Sequence, residues 1–306
     1  MTAVHGFLVV DKPRGMTSHD VVGLVRRRLN TRRVGHAGTL DPAAEGVLVI
    51  AVGRATTLID RVQAQRKQYI ARAVLGAASA SDDIEGPLIE SMGDVTPPDV
   101  ENVRRALASF QGEIEQVPPA YSAIKVEGQR AYRRARLGHA DRMPRRRVII
   151  HAIELIAYTF PDVVFSVECS KGTYVRSIAR DLGAQLGIPA YLHSLVRVAV
   201  GPFMLADAWD TATVADQLNP ATWPLMALHP TCALPDTATL LLDEQAVAQW
   251  YHGQPIPVRT PGEDAGALEA SAFDGTGRWL GLASLDAGHR QWRPRLVIGP
   301  TDGRRN

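Results

Sequence analysis

Cysteine is nearly absent from this chain: of 306 residues, only Cys169 and Cys232 are cysteines. They lie far apart with no ligand pattern around them, which argues against a disulfide framework and against a structural zinc site. Both are expected to be buried small apolar groups. Long apolar runs are missing too. No stretch approaches the ~20 residues that span a bilayer, and Met1 to Asp11 lacks the basic start and long apolar centre of a signal peptide. No membrane association is expected, and the cytoplasm is the expected compartment. Repeats of ~20 to 50 residues and low-complexity tracts are likewise missing, which excludes solenoids and disordered arrays.

What remains is the composition of an ordinary soluble globular protein, 45% hydrophobic and 22% charged, long enough for one large domain and a small one. The net charge of +2 hides an asymmetry. Residues 1–40 carry seven Lys and Arg against two acids, residues 101–150 eleven against five, and residues 201–300 five against eleven. Two arginine runs stand out: Arg26, Arg27, Arg28, Arg32 and Arg33, then Arg130, Arg133, Arg134, Arg136, Arg145, Arg146 and Arg147. Either run alone reads as a solvated helix face or as a phosphate-binding surface. Two in one domain tilt towards a polyanionic partner, because guanidinium is permanently charged and bidentate.

"FLVVDKPRGMTS" reads as a short strand broken at Pro13 and Gly15, with Thr17 or Ser18 capping a helix through Leu29. "GVLVIAVG" is a continuous apolar run between glycines, the pattern of a strand buried on both faces. "QYIARAVLG" alternates as a strand. "TPPDVENVRRALASFQG" predicts a helix capped at Thr96. "VPPAYSAIKVEGQRAYRRARLG" predicts a strand, a turn at Glu127 and Gly128, and a basic helix. "RVIIHAIELIAYTF" and "DVVFSVECS" read as a strand pair, and "TYVRSIARDLGAQLG" as a helix closed by Gly187. This mixed order predicts an α+β fold on a large, mainly antiparallel sheet flanked by helices. From about Asp207 acids, prolines and tryptophans accumulate, and a small β-rich unit with a helix around "LDEQAVAQWYHG" is expected.

The chemistry-bearing candidate is Asp41 in "GHAGTLDPAAEGVLVIAVGRAT". Pro42 biases Asp41 away from helical backbone, and Gly35, Gly38 and Gly46 permit tight turns, so the loop holds a carboxylate stiffly. A turn aspartate satisfying nearby N–H groups has the same signature. The residues alone leave both readings open.

That stretch resembles the catalytic motif of the TruB-type tRNA pseudouridine-55 synthases. "VDKPRGMTSHDVV", "KQYIARAVLG", "VPPAYSAIKVEGQRAYRRARLG", "CSKGTYVRSIARDLG" and "LVRVAVGPF" are similar to the family's successive blocks, in order, across most of residues 6–203. The resemblance implies a catalytic domain of the pseudouridine synthase type over residues 1–235 and a PUA-like RNA-binding domain over 236–306. It places Asp41 at the nucleophile, Tyr69 at the tyrosine that stacks on the target uracil, and Arg176 at the arginine that pairs with the aspartate. His36 falls at the histidine that enters the RNA where the base has left. Lys12 and Pro13 match the KP pair, and Tyr174 and Asp83 match positions lining the site. The implied partner is the T stem-loop of tRNA, with no cofactor, no metal and no obligate protein partner, and a monomer is expected. Isomerising uridine needs no redox partner, since the ring supplies its own incoming carbon, and a base inside a folded loop must be flipped out to react.

The chain departs from the family pattern at Ala37 and Glu45, where threonine is usual, and at Thr57, where lysine is usual. These changes lower the positive charge beside the loop. In the acidic C-terminal unit, Arg278, Arg290, Arg293 and Arg295 are the candidates for a local basic patch. A thiol nucleophile at Cys169 has no histidine and carboxylate partners indicated by sequence.

Overall fold

The computed structural model describes residues 5–93, 95–122, 125–126, 129–130, 143–258 and 267–299. The predicted basic helix after Gly128 does not start there: Gln129–Arg130 is a short strand paired with Lys125–Val126. The rest of that stretch, with Arg133, Arg134 and Arg136, and the polar loop at 261–266 lie outside the described residues.

Among the described residues the main sheet has ten strands. Its path runs Trp209–Asp210, Gly6–Lys12, Glu45–Val52, Ala190–Val200, Lys67–Leu75, Asp162–Cys169, Arg146–Thr159 and Gly112–Gln116. Glu45–Val52 with Ala190–Val200, and Gly6–Lys12 with Trp209–Asp210, are parallel; the other pairs are antiparallel, as the sequence pattern predicts. The apolar run Glu45–Val52 is buried on both faces: Val47, Val49 and Ala51 point into one core, and Leu48, Ile50 and Val52 into another. Period-two alternation in a strand lets one short segment hold both layers together.

The helix Ser18–Leu29 covers one of those cores with Val21, Val22, Val25 and Leu29. Thr17 is its N-cap and exchanges hydrogen bonds with Asp20 in a capping box, which decides between the two candidate caps. The helix Val175–Leu186 ends at Gly187 with φ +69°, as predicted. The helix Val100–Ala108 starts later than expected. Its cap is Asp99, which accepts from the Asn102 N–H at 2.7 Å, because prolines 97 and 98 keep the residues before them out of helical backbone. Beyond it, Gly112 opens a strand at φ +102°.

A second, five-stranded sheet is built from Ala238–Leu242, Glu269–Asp274, Trp279–Asp286, Gln291–Val297 and Ile256–Pro257. The helix Glu244–Tyr251 packs Trp250 into its core. Trp279, Leu282 and Ile298 reach past it to Phe7, Val47 and Val49 of the main sheet, so an apolar cluster is shared between the two sheets. Beside that cluster, Arg61 and Glu269 form a two-pronged ion pair with both contacts at 2.5 Å.

Candidate active site

Asp41 sits in the loop between the strands Val34–His36 and Glu45–Val52, and the loop is tied down on several sides. Buried Ser18, in the first turn of its helix, both accepts from the Leu40 N–H at 2.9 Å and donates to the Leu40 carbonyl at 3.1 Å. The Gly15 N–H donates to the Pro42 carbonyl at 2.8 Å. Inside the loop, Ala44 N–H closes a turn on the Asp41 carbonyl at 3.0 Å. The stiffness read from Pro42 and the glycines is therefore reinforced by groups distant in sequence.

The carboxylate itself meets Arg176, whose Nη2 lies 2.9 Å from Asp41 Oδ2 and whose Nη1 lies 3.1 Å from Asp83 Oδ2. The same guanidinium donates to the carbonyls of Ser81 and Tyr121. The Arg176 and Asp83 side chains are 7% and 6% exposed, while that of Asp41 is 43% exposed. One cation thus holds two carboxylates, one sealed and one open to solvent. Behind them Arg180 bridges Asp82 at 2.7 Å and Asp181 at 2.9 Å. Burial raises the Asp82 pKa against the pull of Arg180.

Asp41, Tyr69, Tyr174 and Arg176 line one cleft of about 900 Å³. Among its described lining residues Asp41 is the one carboxylate, facing Lys67, Arg146, Arg147, Lys171, Arg176 and Arg197. Tyr69 stands on the strand Lys67–Leu75 with its ring in the cleft wall. Burial pushes the Tyr69 phenol pKa up, while the adjacent Arg197 pulls it back by charge and hydrogen bonding. Buried Gln116 fixes Tyr174 by accepting its N–H at 2.8 Å and donating to its carbonyl at 3.0 Å. The Arg146 guanidinium lies 5.6 Å from the Tyr174 ring centroid.

Four predicted site residues fall outside the lining of this cleft. Lys12, expected on the substrate side, is fully buried and spends its ammonium on the carbonyls of Pro13, Met16 and Pro42, at 2.9, 2.8 and 3.4 Å. Its long stem carries the charge under the Asp41 loop rather than into the cleft. Burial lowers its pKa, opposed most strongly by Glu45 and then by Asp41 and Glu85. The Glu45 departure therefore supplies a counter-charge to a buried lysine. Pro13 is exposed outside the cleft lining. His36 lies at the start of the loop, edge-on to His19 with ring centroids 6.1 Å apart, and burial followed by the charges of His19 and Arg197 lowers its pKa. Asp83 lines a smaller pocket beside the cleft, together with Asp41 and Arg176.

Sequence reasoning passed over Ser18, Gln116, Lys67 and Arg197 as site residues. For Arg197 a signal existed: an arginine inside the apolar strand "LVRVAV" with no acid beside it. Lys67 is buried and donates to the carbonyls of Gln63 and Gln65 around the end of the helix Ile59–Ala64. Burial lowers its pKa to about 8. The Cys169 thiol is pushed up to about 11 by burial, so at neutral pH it is protonated and not a nucleophile. In the C-terminal sheet, Arg293 pairs with Asp286 at 2.8 Å, which offsets one charge of the basic patch expected there, while Arg278 and Arg295 donate to the neutral oxygens of Gly299 and Ser284 and keep their charge.

Comparison with known proteins matches residues 26–175 to the TruB family pseudouridylate synthase N-terminal domain. The chain is 42% identical over 302 residues to tRNA pseudouridine synthase B of Gloeobacter violaceus, covering 97% of this chain and 100% of that protein. It is 40% identical over 299 residues to the protein of the same name from Mycobacterium sp. strain KMS, covering 96% of each. Among solved structures, a Cbf5-Nop10-Gar1 complex contains a chain of the same fold, with TM-score 0.69 and 23% identity, covering 97% of this chain and 86% of that one. Near-complete coverage at this identity leaves one assignment: the chain belongs to the TruB family of pseudouridylate synthases.

Proposed function

We propose that this protein converts uridine 55 in the T loop of tRNA to pseudouridine, with Asp41 as its nucleophile. The relatives named tRNA pseudouridine synthase B support the reaction and the substrate. The single observation that carries the residue assignment is the half-exposed Asp41 carboxylate, ion-paired to Arg176 at 2.9 Å in a cleft that also holds Tyr69.

The cleft's excess of cations attracts the phosphate backbone, a sequence-independent term that docks the loop. The uridine then leaves the stack, and the Tyr69 ring face returns part of the lost stacking, ~1 to 3 kcal/mol for a base. His36, at the start of the Asp41 loop, fills the gap left in the RNA. Asp41 adds to the nucleoside, the bond between N1 and C1′ breaks and the uracil turns. C5 then bonds to C1′, the bond to Asp41 breaks and frees its carboxylate, the C5 proton leaves and a proton ends on N1, so atoms and charge balance without an added reactant. Arg176 supports this by holding Asp41 in place and by offsetting the negative charge of Asp41 and Asp83. Tyr174 forms part of the base pocket, Asp83 acts through Arg176, and Lys12 and Pro13 support the loop. Residues 236–306 form the second RNA-binding unit. The enzyme works as a monomer in the cytoplasm on bare tRNA, with no guide RNA or protein partner.

Incubating the purified chain with transcribed tRNA and measuring pseudouridine by nuclease digestion and mass spectrometry tests this reading. Wild type is expected to turn over without additions, and Asp41→Asn to bind tRNA but form no product. Equal product from both proteins, or none from wild type, overturns it.

A further inference from the structure

Arg197 is the point where three parts of the site meet. On the strand Ala190–Val200 it pairs directly with Tyr69 on the antiparallel side and with Gly46 on the parallel side. The ladder to Tyr69's strand shifts register immediately after it, between Arg197 and Ala199. Its side chain is among the largest fully buried in the protein, at 1% exposure. Nε donates to the Val47 carbonyl at 2.7 Å, Nη2 to the Gly38 carbonyl at 3.0 Å and Nη1 to the Thr39 carbonyl at 3.4 Å. Among the described residues no carboxylate pairs with it.

A buried guanidinium without a counter-ion is a poor way to stabilise a core, where an apolar residue of similar volume does better. What Arg197 provides is a planar fork that gathers carbonyls from both ends of the loop carrying Asp41: residues 38 and 39 before the carboxylate, residue 47 after it. The loop backbone runs close to this strand: Gly38 and Gly46 have φ of +110° and +98°, and a Cβ at Gly46 would lie 2.3 Å from the backbone carbonyl oxygen of Arg197. The phenol of Tyr69 lies against the same guanidinium.

We propose that Arg197 is a positioning residue for the reaction: it sets the Asp41 loop and the Tyr69 ring at a fixed distance across the cleft, without touching the base itself. The proposal rests on the function proposed above. A lysine at this position keeps the charge but places one ammonium where three carbonyls and a phenol need a fork, so it does not restore the geometry.

The test compares single-turnover pseudouridine formation and tRNA binding for wild type, Arg197→Lys, Arg197→Gln and Tyr69→Phe, and for Arg197→Lys combined with Tyr69→Phe, each well below its melting temperature. Arg197→Lys is expected to lower the rate about 10- to 100-fold, since small misplacements of reacting groups carry penalties of that order. The Kd for tRNA should stay within about threefold of wild type, because loss of a purely structural contact would instead reduce the folded fraction and affinity together. Adding Tyr69→Phe should cost less than it does alone, because the phenol's partner is already displaced. Arg197→Gln, which keeps a donor and removes the buried charge, serves if the lysine variant does not fold and should show the same loss of rate with retained binding. Wild-type rates in the folded Arg197 variants, losses confined to Kd, or fully multiplicative losses in the double variant would each overturn the proposal. An inactive wild type would count against the function itself, whereas an active wild type with unimpaired Arg197 variants counts against the positioning role alone.

Discussion

Arg176 shows how one side chain can serve both chemistry and stability. Its two short contacts divide between a carboxylate open to the cleft and one sealed behind it, so removing the guanidinium strands a buried negative charge at Asp83. Arg176→Met is therefore expected to abolish turnover and also to destabilise the fold by about 3 kcal/mol, the order found when one partner of a buried pair is removed. Urea unfolding followed by tryptophan fluorescence measures the second effect. Asp41→Asn leaves Asp83 paired and should melt close to wild type. His36 gives a prediction in pH. Burial, with His19 and Arg197 nearby, lowers its pKa below the ordinary 6.5, so its imidazole titration followed by NMR should show a midpoint under that value. The unfolded chain then binds the proton first as pH falls. His36 consequently costs the fold stability as pH drops through 6.5, an increment that levels off below the folded pKa. Removal of Arg197 should raise the His36 midpoint.

Within elements, local chemistry explains most boundaries. Thr17, one of two candidate caps in the sequence, starts one helix and Gly187 ends another, and both signals act over a few residues; the partner that settles the first, Asp20, came from the structure. Thr96 failed as a cap because two prolines separate it from the first helical turn and Asp99 is better placed. The glycines differ in a way no local pattern reveals. A Cβ at Gly15 meets nothing within 4 Å, whereas one at Gly46 strikes the backbone of Arg197. Gly46→Ala combines that collision with a positive φ and is expected to destabilise by more than about 1 kcal/mol and to reduce turnover, whereas Gly15→Ala bears only the backbone strain. Thermal melts of the two variants give the comparison.

For the whole molecule, the second sheet is anchored by apolar contact more than by charge. Arg61 and Glu269 are well aligned, but their side chains are 41% and 34% exposed, so the pair contributes at most about 1 kcal/mol. Trp279 is 5% exposed in the cluster shared with Phe7 and Val47. Trp279→Ala is expected to cost about 3 to 5 kcal/mol and Arg61→Ala far less, as read from unfolding midpoints. The cations of the cleft should make tRNA affinity fall steeply with salt, with a slope that becomes shallower when Lys171 and Arg147 are neutralised together.

The main helices, the doubly buried strand and the family were determined by the sequence itself, because periodicity, capping and an ordered set of motifs are local patterns; the strand Gly112–Gln116 and the strand at Gln129–Arg130, where the pattern predicts a helix, were not. Asp41 was legible as a stiffly held carboxylate, yet its neighbours on the chain could not distinguish a turn from a site. That was decided by tertiary structure, which brings Arg176 from a helix far along the chain to within 2.9 Å of it. It also turned Lys12 inward, paired Tyr69 with Arg197 across a ladder, and packed the second sheet on the first. Each of these depends on contacts between segments many residues apart, where the partner of a charged group is set by how the sheet folds and not by what stands next to it.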